Sequence, residues 1–125
     1  MTEMIVIELP LPHKNLSPNS RCHWAAKARS VAKARSDARI MATQAKLPSC
    51  PWAKATIRFE FTFRTNAKHD DDNLAASCKS YRDGIADAGI VADDNDLMTL
   101  PVVVLPKNAK HPGLRITITE GIHHE

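Results

Sequence analysis

Hydrophobic and polar residues alternate without a break from Thr56 to Arg64. Ile57, Phe59, Phe61 and Phe63 fall on one side; Arg58, Glu60, Thr62 and Arg64 fall on the other. That period of two predicts a half-buried strand whose phenylalanine face packs on the core. Met4–Leu9 predicts a first strand, stopped by Pro10 and Pro12. Met98–Leu105 and Leu114–Thr119 predict two more, parted by the turn-like stretch 106–113. Two stretches change period. Between His23 and Lys46, Val31, Ala34, Ala38, Met41 and Ala45 recur at helical spacing. Between Asn73 and Ala88, Leu74, Cys78, Tyr81, Ile85 and Ala88 do the same, with Gly89 suited to the left-handed C-terminal position. Gly84 weakens this helix slightly. His13–Cys22 reads as a loop, Leu47–Trp52 as a proline-broken link, and Gly121–Glu125 as a polar tail. These elements predict a single α+β domain over residues 1–125. It has a mixed sheet of about four strands and two main helices on one face.

The length of 125 residues suits one modest core. Apolar runs are too short for a membrane span or a signal peptide, so a cytoplasmic protein is expected. Cys22, Cys50 and Cys78 are an odd number at wide spacing, which argues against a disulfide framework or a zinc site. The net charge of +3 hides an asymmetry: residues 1–68 carry 12 Lys+Arg against 4 Asp+Glu, and residues 69–125 carry 5 against 10. A basic half and an acidic half suit a protein that holds a polyanion against a metal, and equally suit two solvated faces.

Two acidic clusters, Asp70-Asp71-Asp72 and Asp93-Asp94-Asn95-Asp96, bracket the second helix. If Asp70–Asp72 enter it extended, Asp70 and Asp72 point one way and Asp71 the other. A hard cation such as Mg²⁺, with Mn²⁺ as the alternative, takes carboxylate oxygens and keeps several waters, so two or three such groups suffice. Lys79 follows Asp72 by seven positions, two turns along the same helix face. The plainer alternatives are an N-cap and an Asn/Asp turn. A calcium loop lacks its Gly and distal Glu here. Trp24 and Trp52 read as core or rim packing rather than as base-stacking platforms, and His123 and His124 as tail residues.

The run Asp70-x-Asp72-Asn73-Leu74, then Lys79, Asp83, Ala88-Gly89 and Asp93-Asp94, resembles the signature of the RusA family of Holliday junction resolvases. The opening Leu9-Pro10-Leu11-Pro12, the Asn/Pro-rich loop and the Arg-rich helix are similar to that family too. The resemblance implies a Mg²⁺-dependent endodeoxyribonuclease of bacteria and their prophages, acting as a homodimer on four-way junctions in DNA recombination and repair. It implies Asp70, Asp72 and Asp94 as metal carboxylates and Lys79 as the catalytic lysine. It also implies a three-residue insertion, Ala75–Ser77, ahead of Lys79, which turns the helix face by about 60°. His69 stands where the family's shorter form carries an arginine, with Lys68 beside it. Lys14, Arg21, Arg29, Lys33, Arg35 and Arg39, with Lys68 and His69, are the candidate DNA contacts; a solvated helix face is the other reading of the helical ones.

A helix from Asn73 to Ala88 is roughly 24 Å long. The chain from Gly89 to Asp94 returns at most about 17 Å. Asp94 therefore reaches its own Asp70 only by a fully straight return; a helix ending early at Gly84 would relax this, and otherwise a second subunit supplies Asp94 more easily. Two rival functions stand beside the nuclease: a junction-binding protein that no longer cuts, and a small metal-binding interaction protein with no nucleic-acid role.

Overall fold

The computed structural model describes residues 3–45 and 47–121. Strand β1 (Met4–Leu9) is followed by a 3₁₀ turn at Lys14–Leu16 and helix α1 (Trp24–Gln44). Strand β2 (Ala55–Thr62) leads to helices α2 (Asp71–Ser77) and α3 (Lys79–Asp87). A second 3₁₀ turn at Asp94–Asp96 precedes β3 (Leu97–Thr99), β4 (Val103–Val104) and β5 (Gly113–Glu120). The fold is thus α+β with one mixed sheet of five strands, in the order β1-β5-β2-β3, with β4 also beside β2.

β5 pairs antiparallel with both β1 and β2, so β1 and β2 run in the same direction. The registers Ile7↔Ile116↔Phe59 and Ile5↔Ile118↔Ile57 place large apolar side chains side by side across three strands. Such cross-strand pairs are what stabilises a sheet. Ile57, Phe59, Phe61, Leu114, Ile116 and Ile118 are buried with Ala34, Ala38, Ala42, Tyr81 and Ile85 of the helices. Removing each large side chain of this cluster from water contributes about 1.5–3 kcal/mol. The alanine face of α1 lets α3 come close, and the approach is tightest at Gly84. A Cβ built there would lie 2.1 Å from the carbonyl oxygen of Arg35 and 3.0 Å from Cβ of Ala38. Gly89 adopts φ +85°, as its position after α3 predicts.

The structure departs from the sequence expectations in five places. The helix expected over Asn73–Ala88 starts at Asp71 and is divided at Cys78, whose φ and ψ are −88° and −8°. The Ser77 hydroxyl donates to the Leu74 carbonyl at 2.7 Å, and the Cys78 N–H donates to Ala75 rather than to Leu74. This local competition tightens the turn and bends the helix. The strand expected over Met98–Leu105 is two short ones: Ile57 pairs with Thr99 and Glu60 with Val103, so three steps along β2 face four on the other side, and the extra residue bulges the ladder beside Pro101. Leu100 and Leu105 still donate to Ile57 and Phe61 of β2 at 2.9 and 2.8 Å. β2 begins at Ala55 and ends at Thr62, leaving Phe63 beyond the ladder. On α1, Val31 is exposed and Ala42 takes its place on the buried stripe. Of the two tryptophans, Trp52 is 6% exposed and in the core, whereas Trp24 is 77% exposed and packs in no core. Lys46 and the tail beyond Gly121 lie outside the described residues.

Cys78 sits in this core, and burial pushes its thiol up to about 12; it is an inert packing group. Among the described residues no helix is long and apolar enough to cross a membrane.

Candidate metal and nucleic-acid site

Parallel strands send their outgoing connections to one end of a sheet. The loop from β1 to α1 and the loop from β2 to α2 therefore emerge together, and both helices begin at that end. The turn ahead of β5 joins them: the Asn108 N–H donates to the Phe63 carbonyl at 2.9 Å. In the β2–α2 loop the rings of Phe63 and His69 stack with centroids 3.8 Å apart. This stacking fixes the chain just before Asp70.

Asp70 is the N-cap of α2. Its Oδ1 accepts from the N–H groups of Asp72 and Asn73 at 2.8 and 3.2 Å. Two orphan donors of the first turn are thereby satisfied, and the negative charge lies at the favourable end of the helix dipole. The side-chain alternation expected for Asp70–Asp72 does not hold, because Asp71 and Asp72 are already helical. The pair still leaves the same turn, exposed to solvent, and among the described residues only Oδ1 of Asp70 is engaged in hydrogen bonds.

The second acidic cluster forms the 3₁₀ turn before β3. Asp93 caps it by accepting from the Asn95 N–H at 2.9 Å. Asp94 is bound by Arg82, a residue the sequence reading passed over. The Arg82 guanidinium donates to Asp94 Oδ1 at 2.5 Å, to the carbonyls of Asp94 and Leu97, and to the Thr99 hydroxyl at 2.9 Å. The available signal was composition: Lys79 and Arg82 are the two cations between the acidic clusters. Arg82 thus fastens the 93–96 turn to α3, on the order of 18 Å of helix path beyond Asp70. Among the described residues no three His, Cys, Asp or Glu side chains converge on one point. One chain places Asp70 and Asp72 two residues apart at the start of α2, and Asp94 on the 3₁₀ turn before β3.

Lys79 opens α3 and pairs with Asp83 at 3.2 Å, one turn further on, with most of its side chain in solvent. The basic candidates divide into two groups. Arg35 makes a two-point ion pair with Asp87 at 2.5 and 2.8 Å, joining α1 to α3, and Lys33 pairs with Asp37 at 2.6 Å. The Arg35 guanidinium holds the Asp87 carboxyl below its usual range. Lys14, Arg21, Arg29, Arg39, Lys68 and His69 are exposed and form no ion pair among the described residues. The turn before β5 adds Lys107, Lys110 and His111, all exposed, at the same end of the sheet. Sequence reading treated that stretch as a plain turn, since only the topology brings it near α2.

An uncharacterized protein of Xylella fastidiosa (strain Temecula1) is 36% identical to this chain over 128 residues. The match spans 96% of this chain and 78% of the Xylella protein. The two belong to one family. No family model matches the chain.

Proposed function

We propose that the protein is a divalent-metal-dependent endodeoxyribonuclease of the RusA type that acts on four-way DNA junctions as a homodimer. The observation that supports it best is a juxtaposition. The Asp70–Asp72 turn stands at the end of the sheet where Lys14, Arg21, Lys68, Lys107 and Lys110 are also exposed. Exposed cations around a pair of carboxylates suit a polyanion drawn to a bound cation; the carboxylates alone would repel it.

The donors fit a hard ion. Asp70 and Asp72 offer carboxylate oxygens in one turn, and the second oxygen of Asp94 takes no hydrogen bond among the described residues. Mg²⁺, or Mn²⁺ in its place, would lower the pKa of a bound water and stabilise charge on the scissile phosphate. The chain's own groups do the rest. Lys14, Arg21, Arg29, Arg39, Lys68 and the basic turn at 107–111 bind backbone phosphates and set the register. Lys79, once it leaves Asp83, places a cation on the negative charge that develops during cleavage. Asp94 completes the carboxylate set from a second copy of the chain, and two such sites about a two-fold axis suit paired nicks.

The deciding experiment incubates a synthetic four-way junction and a linear duplex with the wild type and with Asp72→Asn, each with and without Mg²⁺. Junction cleavage should need Mg²⁺ and the intact carboxylate. Equal cleavage by Asp72→Asn removes the site. A second reading, a junction-binding protein that does not cut, draws on the Lys79–Asp83 pair, which occupies the lysine. It expects salt-dependent junction binding and no cleavage under any metal.

A further inference from the structure

The geometry points to Trp24 as a stacking platform for an unpaired nucleobase, a contact that rests on the DNA-binding reading and extends it from phosphates to bases. An indole exposed to 77% leaves a large, flat apolar ring open to a partner. Among the described residues none buries it: its one aromatic neighbour there is His23, with ring centroids 5.5 Å apart. His23 itself is held in place, its Nδ1 accepting from the Ala25 N–H at 3.1 Å as the cap of α1. The indole thus stands on the first turn of a 21-residue helix, on a stem that does not move freely.

Its position follows from the helix packing. Trp24, Ala28, Val31 and Arg35 recur at four, three and four, so they share one face of α1. Arg35 on that face grips Asp87 of α3, which sets the direction in which the face looks. The backbones of α1 and α3 meet at Arg35 and Gly84. Trp24 opens α1 and Asp70 caps α2, and both helices follow strands that leave the sheet at the same end, so the indole and the carboxylates share that end of the molecule.

The surroundings select the ligand. The 28 residues from Leu9 to Ser36 contain six Lys or Arg and no Asp or Glu. Arg21 and Arg29 flank the indole in sequence and are exposed without ion pairs among the described residues. An aromatic face inside a positive field is the arrangement that binds single-stranded nucleic acid: cations take the phosphates and the ring takes a base. A second copy of the chain is the competing occupant. A self-complementary interface centred on Trp24 would press two acid-free basic segments together, which like-charge repulsion opposes. Base faces unstacked at the open centre of a four-way junction, or unpaired bases at a fork, are the targets that suit the site; a fully stacked duplex hides its base faces.

The two tryptophans make the test direct. In a Trp52→Phe background, Trp24 is the only indole, and its emission is followed while the full chain is titrated, without divalent metal, with an oligothymidine, a four-way junction and a blunt duplex. Quenching by the oligothymidine and the junction, and much less by the duplex, is expected. Trp24→Ala should lose about ten-fold in affinity for the oligothymidine, while Trp24→Phe retains most of it. Unchanged Trp24 emission, with salt-dependent DNA binding intact, overturns the stacking role alone and leaves the nuclease reading standing. Absence of salt-dependent binding overturns both. A dimer that becomes a monomer on Trp24→Ala, measured by sedimentation, assigns the indole to a contact between copies and overturns the proposal as well.

Discussion

Arg82 and Asp94 are joined by more than an ion pair: the guanidinium that meets the Asp94 carboxylate at 2.5 Å also holds the Asp94 and Leu97 carbonyls and the Thr99 hydroxyl. One side chain thereby ties the second acidic turn and the start of β3 to the middle of α3. It is the best buried of the arginines in ion pairs, at 23% exposure. Removing it leaves two carbonyls and a carboxylate without their donor. Arg82→Met is expected to lose about 2–3 kcal/mol in urea denaturation. Arg82→Lys should recover less than half of that, because an ammonium cannot span the same fork. Stability within about 0.5 kcal/mol of wild type for Arg82→Met would show that the turn is held by other means.

Gly84→Ala tests the helix crossing. In an isolated helix the change gains about 1 kcal/mol. Here the new Cβ meets the Arg35 carbonyl at 2.1 Å, and a backbone atom of a packed helix cannot swing aside. Overpacking of this kind costs about 1–3 kcal/mol, and separating the helices also weakens the Arg35–Asp87 pair. A net loss of about 1–2 kcal/mol is expected, the reverse of what helix propensity alone predicts. A more stable Gly84→Ala would place the crossing elsewhere.

Gly84 also marks where the sequence stopped being legible. The periods of two and of three-to-four gave the strands and both helical regions, because those patterns depend only on which face meets the core. They also gave the alanine stripe of α1, though Val31 was placed on it wrongly: the stripe continues through Ala42, and the N-terminal turns of α1 run past the core. Gly84 read as a weak point in a helix, because its meaning lies in a residue nearly fifty positions away. The role of Arg82 is hidden for the same reason; its partners are at 94, 97 and 99. The bend at Cys78 is set by one hydroxyl, Ser77, whose choice between solvent and the Leu74 carbonyl no periodicity encodes. The acidic clusters were visible as clusters, but their relation in space depends on that bend and on Arg82.

The Arg35–Asp87 pair has a pH signature. The hydrogen bond from Arg35 is the main reason the Asp87 carboxyl lies below its ordinary value of 3.8, with the charges of Arg35 and Arg39 adding to it. A carboxyl whose folded pKa is depressed contributes stability above its unfolded value and loses it as pH falls through the folded one. The stability difference between wild type and Asp87→Asn should be constant near neutrality. It should begin to shrink as pH drops below about 3.8 and close further down. The pair is half-exposed, so the difference should be modest and smaller in high salt. Denaturation midpoints from pH 7 to pH 2 measure this, and a difference that widens toward acid would reverse the assignment.

The separation of Asp70 from Asp94 makes the sharpest demand on the proposed nuclease. In one chain, Asp70 is fixed as the cap of α2 and Asp94 is fixed against Arg82 on α3. Bringing them to one ion within that chain would mean breaking the four bonds of Arg82 or straightening the return from Gly89. The proposed site instead takes Asp94 from a second copy, which would let each carboxylate keep its hydrogen bonds and use its other oxygen. Chains carrying Asp70→Asn and chains carrying Asp94→Asn should therefore be inactive alone and regain activity when mixed and refolded together. Random pairing makes half of the dimers mixed, each with one intact site and one doubly damaged site, so single nicks in the junction should return before paired ones. If every carboxylate comes from one chain, the mixed dimer holds one site lacking Asp70 and another lacking Asp94, and no cleavage returns. Recovery of nicking with the mixture, and none with either variant alone, is the expected outcome; none in all three would put the site within a single chain and require Arg82 to release Asp94.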